Sequence, residues 1–377
     1  MVFPITNASA QTLYFELALV LLVLIFLKKK PASWVLSSEV STLLKGASIL
    51  AIIFAHIGYY LVSDTKFLYP LSIAAGIGVN IFLFISGYGL TRSAVKNTLS
   101  RLDFYKKRLL RLYVPLFLTL LILLALDSLF LHLFYPLKTV LQSFIGFFPK
   151  ANLYADINSP LWYFTLILGF YLIFPIIFFK RAPVISGFLA LVIAYFVTTR
   201  LTLPVEEGVL GLYRLHILAF PLGMIYAGLT EIILQHQTNH PSFWNKLPRI
   251  PKLLSTFVRY AVMAMSLYYT QHFLIESGVG KGLKTEQIIS LGTMALVILL
   301  ALCTKLSSRF LLIFGTYSYE IYLLHWPFFY RYSPLFLWLP PAAATALSLA
   351  LLLPLAFLLQ KIAGRLTTFI APEFSKK

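Results

Sequence analysis

The sequence predicts an all-α fold, a polytopic transmembrane helical bundle of about eleven spans, and three observations favour this class. Of 377 residues, 59% are hydrophobic and 12% are charged, whereas a soluble domain carries about 25% charged residues. The mean hydropathy is +0.85. Mostly apolar segments of about 16 to 26 residues recur along the whole length, enough to cross a hydrocarbon core about 30 Å thick.

The individual spans follow from these apolar segments. The first has no basic region before it and no small-residue cleavage site, and it ends in three lysines, so it is predicted to be an anchor rather than a signal peptide. The predicted spans are 11–27, 47–62, 72–92, 113–133, 161–179, 184–200, 211–229, 256–274, 287–303, 310–330 and 335–360. The predicted units are 1–41 (anchor and cytoplasmic linker), 42–365 (main membrane domain) and 366–377 (basic cytoplasmic tail).

The distribution of cations predicts the orientation. With eleven spans, one set of alternate connections carries 23 of the 31 Lys and Arg residues, and the other set carries eight. Lys and Arg enrichment marks the cytoplasmic side. We therefore expect the N-terminus outside and the C-terminus in the cytoplasm. The net charge of +18 then reflects topogenic residues and attraction to anionic lipids, and no nucleic-acid partner is expected.

His56 is the most informative residue, because it lies about midway along the apolar stretch 46–62. An ionisable side chain at membrane depth is costly and is therefore a functional candidate. Lys45 precedes it by eleven residues. In a helix this spacing places both side chains within about 20° of one face and about 16 Å apart along the axis. The pattern predicts that a ligand could extend along one helix face from a cation at the membrane surface to a buried imidazole.

Glu320 and His325, in the tenth predicted span, lie at depths compatible with His56. A carboxylate can fix the tautomer of an imidazole and stabilise the imidazolium that forms when it abstracts a proton. We therefore expect Glu320 to partner His56 in general-base catalysis. A proton-coupled transporter, or a polar cluster that only fixes helix packing, would use the same residues. Three other histidines near outer span ends are expected to be solvated or interfacial: His132, His216 and His272.

Arg108 and Arg111 belong to a cluster of four cations within six positions, 106–111. Their spacing puts both on one helix face. Guanidinium groups offer paired donors to phosphate, so the two arginines suit a phosphate-bearing ligand at the membrane surface. The alternative is a positive-inside cluster on an interfacial helix.

Five stretches, in order, resemble the motifs of acyltransferase family 3, the integral-membrane acyltransferases. The first resembles its Arg/Lys-x10-His motif, and the third its R-x-x-R-[IL]-x-P segment. The last resembles its closing S-Y-x-x-Y-L-x-H helix. The five stretches are Lys45-x10-His56, 78–88, Arg108-x2-Arg111 with Pro115, 159–175 and 317–325.

The resemblance implies about ten core helices and transfer of an acyl group, usually acetyl from acetyl-CoA, to a hydroxyl of a glycan, lipid or small molecule. It implies that His56 is the catalytic histidine and Lys45 its paired cation. Arg108, Arg111 and Lys45 would bind the phosphates of CoA. Other residues of the motifs and the closing helix are candidate contacts with substrate: Asn80, Ser86, Trp162, Tyr171 and His325.

Two departures from the family pattern bear on the mechanism. Many members place a carboxylate pair where this chain has Ile167 and Leu168, and an aspartate is common at the position of Asn80. Both departures remove acidic groups, which favours Glu320 as the partner of His56. The first span, 11–27, is additional to the family's ten helices.

These observations together predict an O-acetyltransferase of the bacterial inner membrane. Its partners would be an acyl-CoA donor, a cell-envelope glycan or lipid-linked sugar as acceptor, and membrane lipids. Acetyl-CoA acts as co-substrate, and no metal is expected. Transfer of succinyl or another acyl group is the alternative within the enzyme class. A proton-coupled exporter of glycan or lipid precursors is the alternative outside it.

Overall fold

The computed structural model describes residues 3–31, 33–62, 67–97, 100–241, 252–276 and 282–372, and most of them are helical. Two pairs of very short strands complete the fold: β1 (Phe3–Pro4) with β3 (Leu61–Val62), and β2 (Leu27–Lys29) with β4 (Leu306–Ser308). The helices are α1 Ala8–Ile25, α2 Ser38–Tyr60, α3 Ala75–Lys96, α4 Arg101–Leu131, α5 Leu137–Ile145, α6 Trp162–Ile177, α7 Pro183–Arg200, α8 Glu207–His216, α9 Ala219–Asn239, α10 Lys252–Glu276, α11 Leu283–Cys303, α12 Arg309–Thr316, α13 Ser318–Pro327, α14 Leu335–Trp338 and α15 Pro341–Ile370, with a π-helix at Phe328–Tyr332 after α13.

The helical membrane class is confirmed, whereas the count of eleven spans is not. Within the described ranges, eight helical segments are long and apolar enough to cross a membrane. The predicted tenth span is divided at Tyr317 into α12 and α13, of 8 and 10 residues, each too short to cross alone. The eight segments are Ala8–Ile25, Ser38–Tyr59, Arg101–Leu131, Ser159–Ile177, Pro183–Arg200, Glu207–Asn239, Leu283–Cys303 and Pro341–Ile370.

Helix α2 begins well before the predicted span at residue 47. The Ser37 hydroxyl accepts a hydrogen bond from the Val40 amide at 3.2 Å and caps the helix, so its polar first turns are helical too. Hydropathy cannot register such turns because they are not apolar. As a result, Lys45 lies near the start of α2, and His56 lies about one turn before its end at Tyr60.

Glycines allow two pairs of helices to pack with their backbones in contact. A Cβ atom on Gly87 of α3 would lie 2.1 Å from the Phe220 carbonyl oxygen of α9. Gly223 of α9 has the same relationship, also at 2.1 Å, to Phe84 of α3. Gly46 of α2 and Gly315 of α12 make a second reciprocal contact. Small residues at such crossings are typical of membrane helix pairs.

Helix α1 is fixed to the rest of the bundle at several points. The Leu68 amide donates to the Thr12 hydroxyl at 2.9 Å, and the Phe15 ring packs edge-on against Phe54 of α2. After the helix, β2 pairs with β4. Lys30 is buried and its ammonium donates to the carbonyls of Ala301 and Thr304 at 2.9 and 2.7 Å, at the C-terminal end of α11.

The connections between helices gather at two ends of the bundle. At one end, here called the Lys45 end, β2 pairs with β4 and Lys28 forms an ion pair with Glu39 at 2.8 Å. At the other, the His56 end, β1 pairs with β3 directly after α2. Each strand pair joins segments that alternating spans would place on the same side of a membrane.

Candidate active site

His56 is less buried than its neighbours in α2. Ile53 and Ile57, on either side of it in α2, are both 0% exposed. The His56 side chain keeps part of its surface accessible. Its ring lies 5.5 Å from that of Trp326 and 5.9 Å from that of Tyr59, measured between centroids.

His325 of α13 is the hydrogen-bond partner of His56. The distance between His325 Nε2 and His56 Nδ1 is 2.9 Å. On the other side of its ring, His325 Nδ1 lies 2.8 Å from the Tyr322 carbonyl oxygen and 3.2 Å from that of Ile321. His325 is 1% exposed, so helix α13 places this imidazole inside the bundle with a carbonyl partner from its own preceding turn.

These contacts determine where the protons lie in the neutral pair. A carbonyl oxygen only accepts hydrogen bonds, so His325 Nδ1 carries the proton and donates it. Neutral His325 therefore accepts at Nε2, and His56 Nδ1 is the donor. This leaves the lone pair of His56 on Nε2, which forms no hydrogen bond with any described residue. The arrangement presents an unprotonated nitrogen on the accessible side of the bundle, as a general base requires.

The expected hydrogen bond between Glu320 and His56 is not formed. The recorded side-chain partner of Glu320 is Gln360, whose Nε2 donates to the carboxylate at 3.3 Å. Glu320 is buried, 6% exposed, and the positive charge of Arg111 acts on it. It precedes His325 by five residues, about 7.5 Å along the helix towards the Lys45 end. A catalytic role for this carboxylate stays a prediction, but it does not hold His56.

Lys45, Arg108 and Arg111 form a cluster of cations at the opposite end of α2. Lys45 lies close enough to feel the charge of both arginines, and the Arg108 guanidinium lies 6.0 Å from the Phe104 ring centroid. In the described part of the chain, none of the three forms an ion pair. Like charges repel at short range. Glu320 is near Arg111 but forms no ion pair with it in the described ranges, so the cluster is suited to binding an anion.

Tyrosine rings connect the cation cluster with the histidine pair. Tyr171 is the neighbour of Arg108. Tyr319 donates its hydroxyl to the Leu112 carbonyl at 2.6 Å. Its ring stacks with Tyr322, whose centroid lies 6.3 Å from that of His325. Tyr163 packs edge-on against Tyr322 at 5.6 Å. The predictions named only Tyr171 of these rings, although Tyr319 and Tyr322, together with His325, fill three of the five specified positions of S-Y-x-x-Y-L-x-H.

Asn80 and Trp162 belong to a separate polar cluster around His216. The Asn80 side chain is 0% exposed, donates to the Ser290 hydroxyl at 2.7 Å and accepts from His216 Nδ1 at 2.8 Å. Trp162 stacks on the His216 ring, with centroids 5.8 Å apart. His216 is 2% exposed, so the expectation of an interfacial histidine is wrong. The Asn80 amide is therefore engaged on both sides, and contact of Asn80 or Trp162 with substrate stays a prediction.

Ser86 stands apart from these groups. It lies half-buried in α3, and no side-chain hydrogen bond to a described residue is recorded for it. Its neighbour Gly87 makes the backbone contact with α9. Part of the 78–88 motif therefore serves helix packing, and contact of Ser86 with substrate stays a prediction.

A comparison with protein-family models decides the family. The model for the acyltransferase domain of this family matches residues 41–361, most of the chain. The chain belongs to acyltransferase family 3. The curated proteins and the solved structures that were searched contain no significant match.

Membership of acyltransferase family 3, together with the apolar helices, makes this protein a membrane acyltransferase. The matched region contains every candidate site residue, from Lys45 to His325, whereas α1 and Lys30 precede it. Ile167, at a position where many family members carry a carboxylate, is 4% exposed within the hydrophobic core. The hydrogen-bond partner of His56 is a second imidazole, His325.

Proposed function

We propose that this membrane acyltransferase transfers an acetyl group from acetyl-CoA to a hydroxyl of a cell-envelope glycan or lipid-linked sugar. The observation that carries the proposal is the hydrogen bond of 2.9 Å between His325 and His56, which leaves the His56 Nε2 lone pair free. A nitrogen in this state can accept a proton from an alcohol at neutral pH.

The proposed reaction is a direct transfer. His56 Nε2 takes the proton of the acceptor hydroxyl while its oxygen attacks the thioester carbonyl carbon. The carbon–sulfur bond breaks, the acetyl ester forms, and the thiolate of CoA leaves and recovers the proton from His56. His325 stabilises the transient imidazolium, because its Nε2 accepts from His56 Nδ1 and its Nδ1 donates to the Tyr322 carbonyl.

The donor is proposed to bind from the Lys45 end. Its CoA phosphates would interact with Arg108, Arg111 and Lys45, which have no ion-pair partner in the described ranges. Lys45 and His56 are about 16 Å apart along α2, so the pantetheine arm would carry the thioester past the tyrosine rings towards His56. Glu320, near Arg111, would lie along this route rather than at the reacting atoms.

We further propose that the protein resides in a bacterial inner membrane, with the Lys45 end in the cytoplasm. The support is the division of 23 to 8 Lys and Arg residues between the two sets of connections. The donor would then be taken from the cytoplasmic pool of acyl-CoA. Under this orientation the N-terminus lies outside and the C-terminus lies in the cytoplasm.

The experiment that tests this function follows both products. Cells that carry the wild-type gene, no gene or a His56→Ala variant would be compared for ester-linked acetyl groups on envelope glycans by mass spectrometry. The purified full-length protein in nanodiscs would be assayed for release of free CoA thiol from acetyl-CoA and succinyl-CoA. We expect acetylation only with the wild type, and a loss of about 10²–10⁴-fold in rate for His56→Ala.

The control is His132→Asn, because His132 is exposed and has a φ of 52°, a conformation that Asn tolerates. If the protein released CoA faster from succinyl-CoA, the transferred group would be succinyl and the proposed mechanism would stay the same. Glycan export without release of CoA would establish the exporter instead. Activity of His56→Ala within about threefold of the wild type would refute the base assignment.

A further inference from the structure

The rings of Tyr59 and Trp326 contact His56, and two further rings, Tyr154 and Tyr330, contact Trp326. Trp326 is central: its ring contacts His56 at 5.5 Å, Tyr154 at 6.4 Å and Tyr330 at 5.1 Å, the last nearly parallel at 5°. Trp326 itself is 0% exposed, whereas Tyr59 and Tyr154 are 45% and 47% exposed. Tyr59, Tyr154, Tyr330 and the buried Trp326 are called here the aromatic platform.

Hydrogen bonds hold the platform in place before any ligand binds. Trp326 Nε1 donates to the Leu153 carbonyl at 2.7 Å, and the Tyr154 hydroxyl donates to the Tyr59 carbonyl at 2.9 Å. The Asn152 side chain accepts from the amides of Tyr154 and Ala155 at 3.0 and 3.1 Å, which fixes the turn that carries Tyr154. A rigid aromatic surface loses little entropy when it binds a ligand.

Arg331 and Asp127, next to the platform, neutralise each other. Arg331, which follows Tyr330, forms an ion pair of 2.6 Å with Asp127, and the two are 5% and 0% exposed. Asp127 also accepts from the hydroxyls of Tyr135 and Tyr332. The Asp156 carboxylate accepts from the Asn152 backbone amide at 2.6 Å. The cation next to the platform is therefore already paired, in contrast to the cations at the Lys45 end.

We propose that the aromatic platform is the acceptor subsite and binds the C–H face of a neutral pyranose ring beside His56. This inference rests on the proposed function and names the class of acceptor and the residues that hold it. The face of an aromatic ring is electron-rich, and the axial C–H bonds of a sugar carry weak positive charge. A sugar lying on the platform would direct one of its hydroxyls towards His56 Nε2.

The arrangement differs from an aromatic belt at a membrane surface, in which Tyr and Trp side chains face the lipid headgroups. Tyr154 and Tyr330 contact each other and the buried Trp326, and both Trp326 and Tyr59 contact the His56 imidazole. The Tyr59 hydroxyl has no recorded partner in the described part of the chain, so it can bond to a sugar hydroxyl.

Saturation-transfer NMR on the full-length protein in nanodiscs tests the subsite without requiring turnover. The probes are methyl β-D-glucopyranoside and cyclohexanol, an apolar ring alcohol of similar size. We expect saturation of the glycoside C–H protons in the wild type and about a tenfold loss in a Tyr59→Ala/Tyr154→Ala variant. Tyr195→Ala, which removes a ring that is 60% exposed on α7, should leave the signal unchanged.

Single substitutions at Tyr59 keep the test valid if the double variant does not fold. Tyr59→Ala should lower the glycoside signal and Tyr59→Phe should retain most of it, because the ring supplies most of the contact. An equal glycoside signal in the wild type and Tyr59→Ala would overturn the subsite, as would a stronger, platform-dependent signal from cyclohexanol. A glycoside signal that depends on the platform residues, in a protein that releases no CoA from acetyl-CoA, would support the subsite and count against the proposed transfer reaction.

Discussion

His325 holds His56 through Nε2 while its own Nδ1 donates to the backbone of α13, so a carbonyl group determines the tautomer of both rings. Residues 269 positions apart in the chain thereby form one hydrogen-bonded unit. Ser-His-Asp sites use a carboxylate for the same purpose. Here the carbonyl dipole and the second ring replace it, without a buried negative charge beside the base.

Substitution of His325 should therefore act through His56. His325→Ala removes the acceptor for His56 Nδ1–H, and we expect the rate of acetyl transfer to fall by about 10²-fold or more at an unchanged donor KM. His325→Gln should recover part of the rate, since its amide oxygen can accept the same hydrogen bond. Equal rates for the two variants, each with wild-type thermal stability, would show that the contact does not position the base.

The arginine pair should act on the donor. Arg108→Ala and Arg111→Ala should each raise the KM for acetyl-CoA by about tenfold, because a charge-assisted bond to phosphate contributes about 1.5–3 kcal/mol. Lysine at either position should restore only part of the affinity, since it lacks the planar fork. Lys106→Ala, an exposed cation of the same segment, is the matched control. An unchanged KM for acetyl-CoA in both alanine variants would show that the two arginines serve membrane topology and not donor binding.

The crossing of α3 and α9 should tolerate no side chain at its glycines. Gly87→Ala and Gly223→Ala each place a methyl group 2.1 Å from a backbone oxygen, and overpacking of this kind costs about 1–3 kcal/mol. We expect a lower Tm in detergent for both. Gly89→Ala lies on the same helix with no atom within 4 Å of the added carbon, so its Tm should be unchanged or slightly higher. A common Tm for Gly87→Ala and Gly89→Ala would contradict the backbone contact.

Cysteine labelling in intact cells checks the orientation. Cys303 is the only cysteine, so Cys303→Ser provides a background for single cysteines at positions 106 and 138. An impermeant maleimide should label position 138 and should reach position 106 only after permeabilisation. A tag before Met1 should be accessible from outside, and one after Lys377 should not. Labelling of position 106 in intact cells would overturn donor binding from the cytoplasm.

The sequence predicted which residues form the site better than it predicted which of them form hydrogen bonds with each other. The distance and shared face of Lys45 and His56 follow from helix geometry alone, because both lie on α2. The choice between Glu320 and His325 does not. They are five residues apart, so their side chains point about 140° apart around α13. Only one can face α2, and which one does depends on how α13 rotates after the break at Tyr317.

His216 shows a similar limit. Hydropathy indicates a single span over 211–229, with this histidine near its outer end. The structure places His216 at the end of α8, two residues before α9 begins, within the helical segment Glu207–Asn239. Its ring lies inside the bundle, next to Asn80 and Trp162. Which face of the segment points inwards depends on its packing against other helices, and an average over an apolar window does not contain that information.

Lys30 lies outside the region that matches the family, but it is part of the folded bundle. It lies before residue 41, where the family match begins, yet its ammonium occupies the last carbonyls of α11. A chain shortened to the matched region would keep all the candidate catalytic residues. It would lose the Lys30 ammonium that donates to the carbonyls of Ala301 and Thr304. It would also lose the Phe15 ring that packs against Phe54. The boundary of the family match is therefore a poor guide for truncation, and we expect that a fragment that folds extends back to the start of α1.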